Sequence, residues 1–354
     1  MSHLPCGNFK SNYIEDEGIF PTSFLKIATI TCFVLLIALP WLLSGYLVYM
    51  AILILIAVIG ALGINIITGY AGQISLGHGA FIGVGAYTCG ILATKAGMPF
   101  WVTLPAAGVM AAIAGVTFGL PSLRLKGLYL AMATLAAQLL LADYLFIRLD
   151  WLTGGAAAML VDRPDVFGFQ LRDDRSFYYL VLVVVVAAVF FTINLFRTKT
   201  GRAFVAIKDR DIAAELIGIN LFRYKLLAFG TGSFYAGVAG ALTAYFWTVI
   251  SPEAFGLTVS IQYLAMIIVG GLGSVRGSIF GAIFIILLPQ VTKNLVQAVA
   301  PIIPPAIPIA NIFPALELML FGLVIILFLI LEPEGLNRMW RNLRAYITLW
   351  PFPY

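Results

Sequence analysis

Residues 27–94 contain no Asp, Glu, Lys or Arg. Further uncharged runs occupy 96–123, 127–142, 176–196, 226–252, 254–275, 277–292, 294–316 and 318–331. A chain that must meet water over its whole surface cannot be built from such runs. A bilayer crossing needs about 20 apolar residues, so 27–94 alone has room for about three. Composition agrees: 62% of the residues are hydrophobic and 10% charged, against about half and about a quarter in soluble domains. A soluble enzyme, a disordered tail and a nucleic-acid-binding domain are all excluded on these grounds. The expected fold is all-α: a polytopic helical membrane protein with about ten spans, some of them short or broken and lining a pathway.

Spans are expected near 24–43, 47–66, 74–94, 101–120, 127–147, 177–196, 224–247, 257–271, 279–297 and 314–331. Within 27–94 the divisions come from turn signals: Pro40 with Ser44-Gly45, then the glycines from Gly69 onward. Orientation follows from the Lys/Arg bias of short loops. Segment 197–225 carries Arg197, Lys199, Arg202, Lys208, Arg210, Arg223 and Lys225 against three acids, and is expected in the cytoplasm. In 148–176 five aspartates outnumber four arginines, which places it outside. Threading from these two puts Arg124 and Lys126 inside, together with Arg338, Arg341 and Arg344. The chain then divides into a cytoplasmic segment 1–23, a transmembrane unit 24–331 and a cytoplasmic tail 332–354. The acidic run Glu15-Asp16-Glu17 stands where a signal peptide needs basic residues, so the first apolar run is expected to be a retained anchor.

Trp41, Trp101, Trp151, Phe177-Tyr178-Tyr179, Trp247 and Trp340 fall at expected span ends, as an interfacial aromatic belt requires. Pro301, Pro304, Pro305, Pro308 and Pro314 forbid a regular helix over 298–314, which predicts an apolar extended hairpin. Cys6, Cys32 and Cys89 are far apart and indicate neither a disulfide framework nor a metal cluster.

The chemistry of catalysis is missing. No G-x-x-x-x-G-K-[ST] phosphate loop, H-E-x-x-H or G-x-S-x-G motif occurs, and the histidines are His3 and His78. No cofactor is expected. His78 with Ser75 is the one pair resembling a base and nucleophile, and no carboxylate lies nearby in sequence to orient it.

Three segments carry what polar chemistry there is. Residues 69–87, GYAGQISLGHGAFIGVGAY, combine Gly69, Gly72, Gly77, Gly79, Gly83 and Gly85 with Tyr70, Gln73, Ser75 and His78. They read either as tight helix packing or as a backbone-lined path whose polar groups meet a solute. Residues 270–282, GGLGSVRGSIFGA, echo them, with Gly271, Gly273 and Ser274 in a turn before a G-x-x-x-G span. The two suggest an internal duplication. Residues 200–218, TGRAFVAIKDRDIAAELIG, read as one amphipathic helix capped by Thr200 and Gly218. It either lies on the membrane surface or is offered to a cytoplasmic partner, and its mixed charge favours a partner.

From Asn65 to Leu336 the chain resembles the LivM-type permease subunits of branched-chain amino acid ABC importers. The resemblance rests on 69–87, on GRAFVAIKDRDIAAELIGINLFRYKLLA at 201–228, on GGLGSVRG and on the terminal E-P-E-G-L. It implies a bacterial inner-membrane protein with both termini cytoplasmic. The implied partners are two ATP-binding-cassette ATPases, a homologous second permease and a periplasmic solute-binding protein. It further implies that 201–218 is the helix that docks on an ATPase, through Arg202, Asp211, Ala213, Ala214, Glu215 and Gly218. Importers often carry E-A-A-x-x-x-G there; Ile212 replaces the Glu in this chain. The competing reading is a secondary transporter or channel working alone, which would need buried ionisable groups. Asp143, Lys293 and Glu317 are its candidates.

Overall fold

The computed structural model describes residues 23–120, 125, 127–155, 157–166, 169–171, 173–299, 319–320, 322–323, 325–328, 330, 332 and 334–349. The loop with Arg124 and Lys126, the proline segment 301–314 and Glu317 lie outside the described residues. So do Cys6 and half of the expected tenth span, 314–331.

The architecture is a helical bundle. Helix α1 spans Ser23–Leu42. Helix α2, Gly45–Ile64, runs on through a π-helical turn, Asn65–Tyr70. After an irregular stretch come α3, His78–Thr94, and α4, Phe100–Gly119. Helix α5, Leu128–Leu139, continues through a second π-helical turn to Arg148. Helix α6 is Asp174–Arg197, followed by the short α7, Lys199–Asp209, and α8, Asp211–Leu216. The long α9, Leu221–Trp247, leads through a single 3-10 turn to α10, Leu257–Gly270. Helices α11, Val275–Val299, and α12, Leu336–Leu349, complete the order. Among the described residues, seven helices are long and apolar enough to cross a bilayer. Strands among the described residues are two-residue pieces: β1 (Met159–Leu160) pairs antiparallel with β4 (Val249–Ile250), and β2 (Asp165–Val166) with β3 (Phe169–Gln170).

Helix α9 is the hub, packed on α2, α3 and α4. Lipid tails are as apolar as a leucine, so these helices are held by close packing, and small residues allow it. A methyl group added at Gly85 of α3 would strike the Gly237 backbone of α9. One added at Gly237 would come within 2.5 Å of the Ala107 carbonyl of α4, and one at Gly63 of α2 within 2.6 Å of the Gly232 carbonyl. The glycines of 69–87 and their counterparts on α9 thus serve packing along most of their length.

Several expectations change. The expected third span, 74–94, begins only at His78, because 71–77 is non-helical. The expected single helix 200–218 is two helices with a break at Arg210 (φ −154°, ψ 99°). Its N-cap position is Thr198 rather than Thr200. The other end is as expected: Gly218 is left-handed (φ +89°), and the Ile219 and Gly218 amides bond Ala214 and Glu215 in a Schellman close. Phe177 and Tyr178 do not face an interface with lipid headgroups; both are buried, and the Tyr178 hydroxyl bonds the Leu36 carbonyl of α1. Trp41, Trp101, Trp151, Trp247 and Trp340 remain exposed. The sole described cysteine side chain is Cys89, which is buried and unpaired.

The two ends of the bundle differ. One gathers Lys95, Trp151 and the Arg163–Asp174 ion pair of 2.6 Å, with Thr248 bonded to Val161. The other gathers Gly72, Gly273, Lys208 and the Glu334–Asn337 segment. Helix α6 runs between them with Ser176 and Thr198 exposed near its two ends. In a variant freed of native cysteines, Ser176→Cys is expected to react with an impermeant thiol reagent added outside intact cells, while Thr198→Cys stays unlabelled. The reverse pattern would invert the orientation.

Candidate functional site

The chain leaves its helices at 71–77 and again at 271–274, and each break frees backbone groups from the intrahelical ladder. The first break is 71–77, between the π-helical end of α2 and the start of α3. An unpaired buried N–H costs about 1–3 kcal/mol, so each needs a partner. The Ala71 and Gln73 amides reach back to the Ile66 and Ile67 carbonyls at 3.1 and 3.0 Å. The Leu76 amide donates to Thr134 Oγ1 of α5 at 2.9 Å, and the Gly77 amide approaches Ser75 Oγ at 3.4 Å. At the head of α3 the Gly79 amide donates to Ser260 Oγ of α10 at 2.7 Å. The Ala80 amide donates to Gln138 Oε1 of α5, also at 2.7 Å. Gln138 is engaged at both ends of its carboxamide: Oε1 also accepts from Ser260 Oγ at 2.9 Å, and Nε2 donates to the Phe255 carbonyl at 2.7 Å. The head of α3 is therefore a closed network among three helices, and its first amides are already engaged.

The second break is the turn 271–274 between α10 and α11. Gly271 and Gly273 have φ +121° and +73°, which a side chain would strain. Ser274 precedes α11, and its Oγ accepts from the Gly277 amide at 2.7 Å, an N-cap bond that satisfies one orphan donor. Asn65 binds the two breaks together. Its Oδ1 accepts from the Gly273 amide at 2.9 Å, and its Nδ2 donates to the Ser274 carbonyl at 2.9 Å and Ser278 Oγ at 2.7 Å. Gly69, one helical turn on, has to lack a side chain because Asn65 occupies that space.

The sequence candidates separate into distinct environments. Ser75 and His78 are fully buried. His78 Nε2 meets the Gly60 carbonyl at 2.9 Å, and its ring stands edge-on to Tyr263, 5.3 Å away. Gln73 differs: it is 4% exposed and neither end of its carboxamide has a hydrogen-bond partner. Tyr70 stacks on Phe196 and, with Gly273, Ser274, Arg276 and Asn337, lines a cleft of about 300 Å³. Gly271 abuts Glu334 and Asn337 of the tail. On the helix pair, Ala214 is buried while Arg202, Ala213, Glu215 and Gly218 are exposed and Asp211 is half-buried. Among the described residues no cluster could hold a metal ion.

Sequence reasoning passed over Asn65, Thr134, Gln138, Ser260 and Ser278. The signal was present, since each is a polar side chain inside an uncharged apolar run, and such residues are costly unless paired or functional.

Comparison with known proteins places the chain in context. Residues 46–329 match the family described as the branched-chain amino acid transport system permease component. The chain is 32% identical over 339 residues to the high-affinity branched-chain amino acid transport system permease protein LivM of Escherichia coli K12, covering 89% of this chain and 76% of that one. It is 30% identical, with the same coverage, to LivM of Salmonella typhimurium LT2. The permease protein LivH of E. coli K12 is 24% identical over 244 residues, covering 64% of this chain and 78% of that one. No solved structure matches.

The same substitution at two glutamines should affect stability differently. Gln138→Leu strands the Ala80 amide and the Phe255 carbonyl, and is expected to destabilise the detergent-solubilised protein by about 2–5 kcal/mol. Gln73→Leu removes a carboxamide that is buried and unpaired, and is expected to leave stability unchanged or raise it by about 1 kcal/mol. Thermal unfolding of both variants checks this; an undiminished melting temperature for Gln138→Leu would remove the network.

Proposed function

The chain belongs to the branched-chain amino acid transport permease family, and from that premise we propose that it is the membrane-spanning, non-catalytic subunit of an ATP-binding-cassette importer. Its solutes are branched-chain or other hydrophobic amino acids, delivered by a periplasmic binding protein. Two ATPase subunits supply the energy. The chain sits in a bacterial inner membrane with both termini in the cytoplasm. The likeness of one chain to both LivM and LivH supports a partner permease built on the same plan.

One observation carries the coupling reading. The short helix α8 exposes Ile212, Leu216 and Ile217 at 69%, 83% and 75%. Ile212 and Leu216 are four residues apart and share a face. Phe204, Ile207 and Ala214 of the same helix pair are buried, so the pair is seated on the bundle while this ridge is left outward. An apolar ridge on a charged cytoplasmic unit is the form of a docking surface. The sequence had centred that surface on Ala213, Ala214 and Gly218. Ala214 instead faces its own chain, so a bulky residue there would unseat the unit rather than test docking.

For the solute path, Gln73 offers a buried, unpaired carboxamide to a polar ligand, and the buried Nδ1 of His78, five residues on, is likewise unpaired. Ser75 and His78 act as supports, through the Gly77 amide and the Gly60 carbonyl. A stand-alone ion-coupled transporter is less well supplied: no Asp or Glu among the described residues is buried, and Asp143 and Lys293 are both exposed.

Leu216→Arg is the test of coupling. An unpaired charge buried in an interface costs about 2–5 kcal/mol, or about 30-fold or more in affinity. The variant is expected to insert normally, lose co-purifying ATPase and lose uptake. A helix that only rests on lipid would tolerate it, because arginine snorkels toward the headgroups. ATPase retained at wild-type yield would end the assignment. Gln73→Leu in the intact complex is expected to cut uptake without affecting assembly; normal uptake would remove Gln73 from the path.

A further inference from the structure

We propose that Lys208 is a positioning residue that joins the cytoplasmic helix pair to both glycine turns at once; this rests on the importer reading above. Lys208 lies in the last turn of α7, one residue before its end and next to the kink at Arg210. Its Cγ, Cα and Cβ stand 3.2, 3.3 and 3.4 Å from the point where a Gly72 side chain would begin. The same residue's Nζ stands 3.3 Å from the corresponding point on Gly273, and the Gly69 carbonyl oxygen lies 3.0 Å from that point. The stem therefore rests on the first break, and the ammonium reaches the second beside a backbone carbonyl. Gly72 and Gly273 are both left-handed, with φ +69° and +73°. Each leaves the Cβ-free space that the lysine fills.

The geometry defines a route. A push on the ridge of α8 passes through the kink to the end of α7, where Lys208 meets both turns. Asn65 then links the second turn to α2 and α11 through the Gly273 amide, the Ser274 carbonyl and Ser278 Oγ. The lysine is exposed and stands on α7, apart from the apolar residues of α8 that form the ridge. Its contribution is to transmit motion, not to bind the ATPase.

The experiment uses vesicles holding the complete importer, with leucine as the transported probe, and measures leucine moved per ATP hydrolysed. Lys208→Ala is expected to keep wild-type ATPase co-purification and to continue ATP hydrolysis. Leucine moved per ATP should fall about tenfold, within the usual span of coupling between sites. Lys208→Arg, which keeps the stem and the charge, should restore most of the ratio. An unchanged ratio in Lys208→Ala overturns the proposal. Loss of ATPase co-purification also overturns it, by making Lys208 part of the docking surface, and so does failure of Lys208→Ala to accumulate in the membrane. Failure of the importer reading itself shows separately, because the wild-type chain would then retain no ATPase.

Discussion

An amide inside a bilayer has nothing to fall back on when its helix stops, and the rest of this bundle is arranged around that fact. Irregular backbone is tolerated at membrane depth only where protein covers it or where it lines a water-filled cavity. Here Thr134, Gln138 and Ser260 take the place that water would hold at the head of α3. Asn65 and Ser274 do so at the turn before α11. Thr134, Gln138, Ser260 and Asn65 each come from a helix distant in sequence from the amide they meet, so satisfying the breaks fixes which helices are neighbours. Helices α5 and α10 must flank α3, and α2 must lie against the α10–α11 turn. The polar groups thus set the arrangement, while the apolar residues supply most of the contact area.

Much of this was legible in the sequence. The gaps between charged residues locate most span ends within a few positions of the observed helices, because a charge in a span costs several times what an apolar residue gains. Gly218 could be read as a helix stop because a left-handed C′ position is a local requirement. What escaped was non-local. Asn65 finds its partners more than 200 residues away and Gln138 finds Phe255 at a separation of 117, and no local pattern announces such pairs. The break at Arg210 was equally silent, since no glycine or proline marks it. Buried Phe177 and Tyr178 were misplaced for a related reason. Aromatics at a span end suit an interface with headgroups, but which way these turn depends on distant helices: Tyr178 and Tyr179 bond the Leu36 and Ile37 carbonyls of α1, and Phe177 stacks on Phe246 of α9.

The basic end of the bundle is where these features converge. Gly72, Gly273 and Gly335 all hold left-handed backbone there, and Glu334, Asn337 and Lys208 lie against the turns. Two ion pairs from Glu334, to Arg341 at 2.6 Å and to Arg338 at 3.8 Å, secure the start of α12. Such surface pairs contribute about 0–1 kcal/mol each, so the closeness of backbone to backbone, rather than charge, holds the tail on the turn. Gly69 and Gly72 of the first glycine segment, Lys208 of α7, the Gly271–Gly273 turn and Glu334–Asn337 of the tail thus come together at this end.

The glycine seam along α9 has a consequence for how a chain of this kind changes shape. Where Gly237 meets α3 and α4, backbone lies against backbone, with no side chain between them to change rotamer and absorb a small displacement. Surfaces so closely fitted do not slide by fractions of an ångström; they keep their registry or separate, because packed interfaces are bistable rather than elastic. Helices α3, α4 and α9 then behave as one solid piece, and the number of independent parts that any transport cycle can move is correspondingly small.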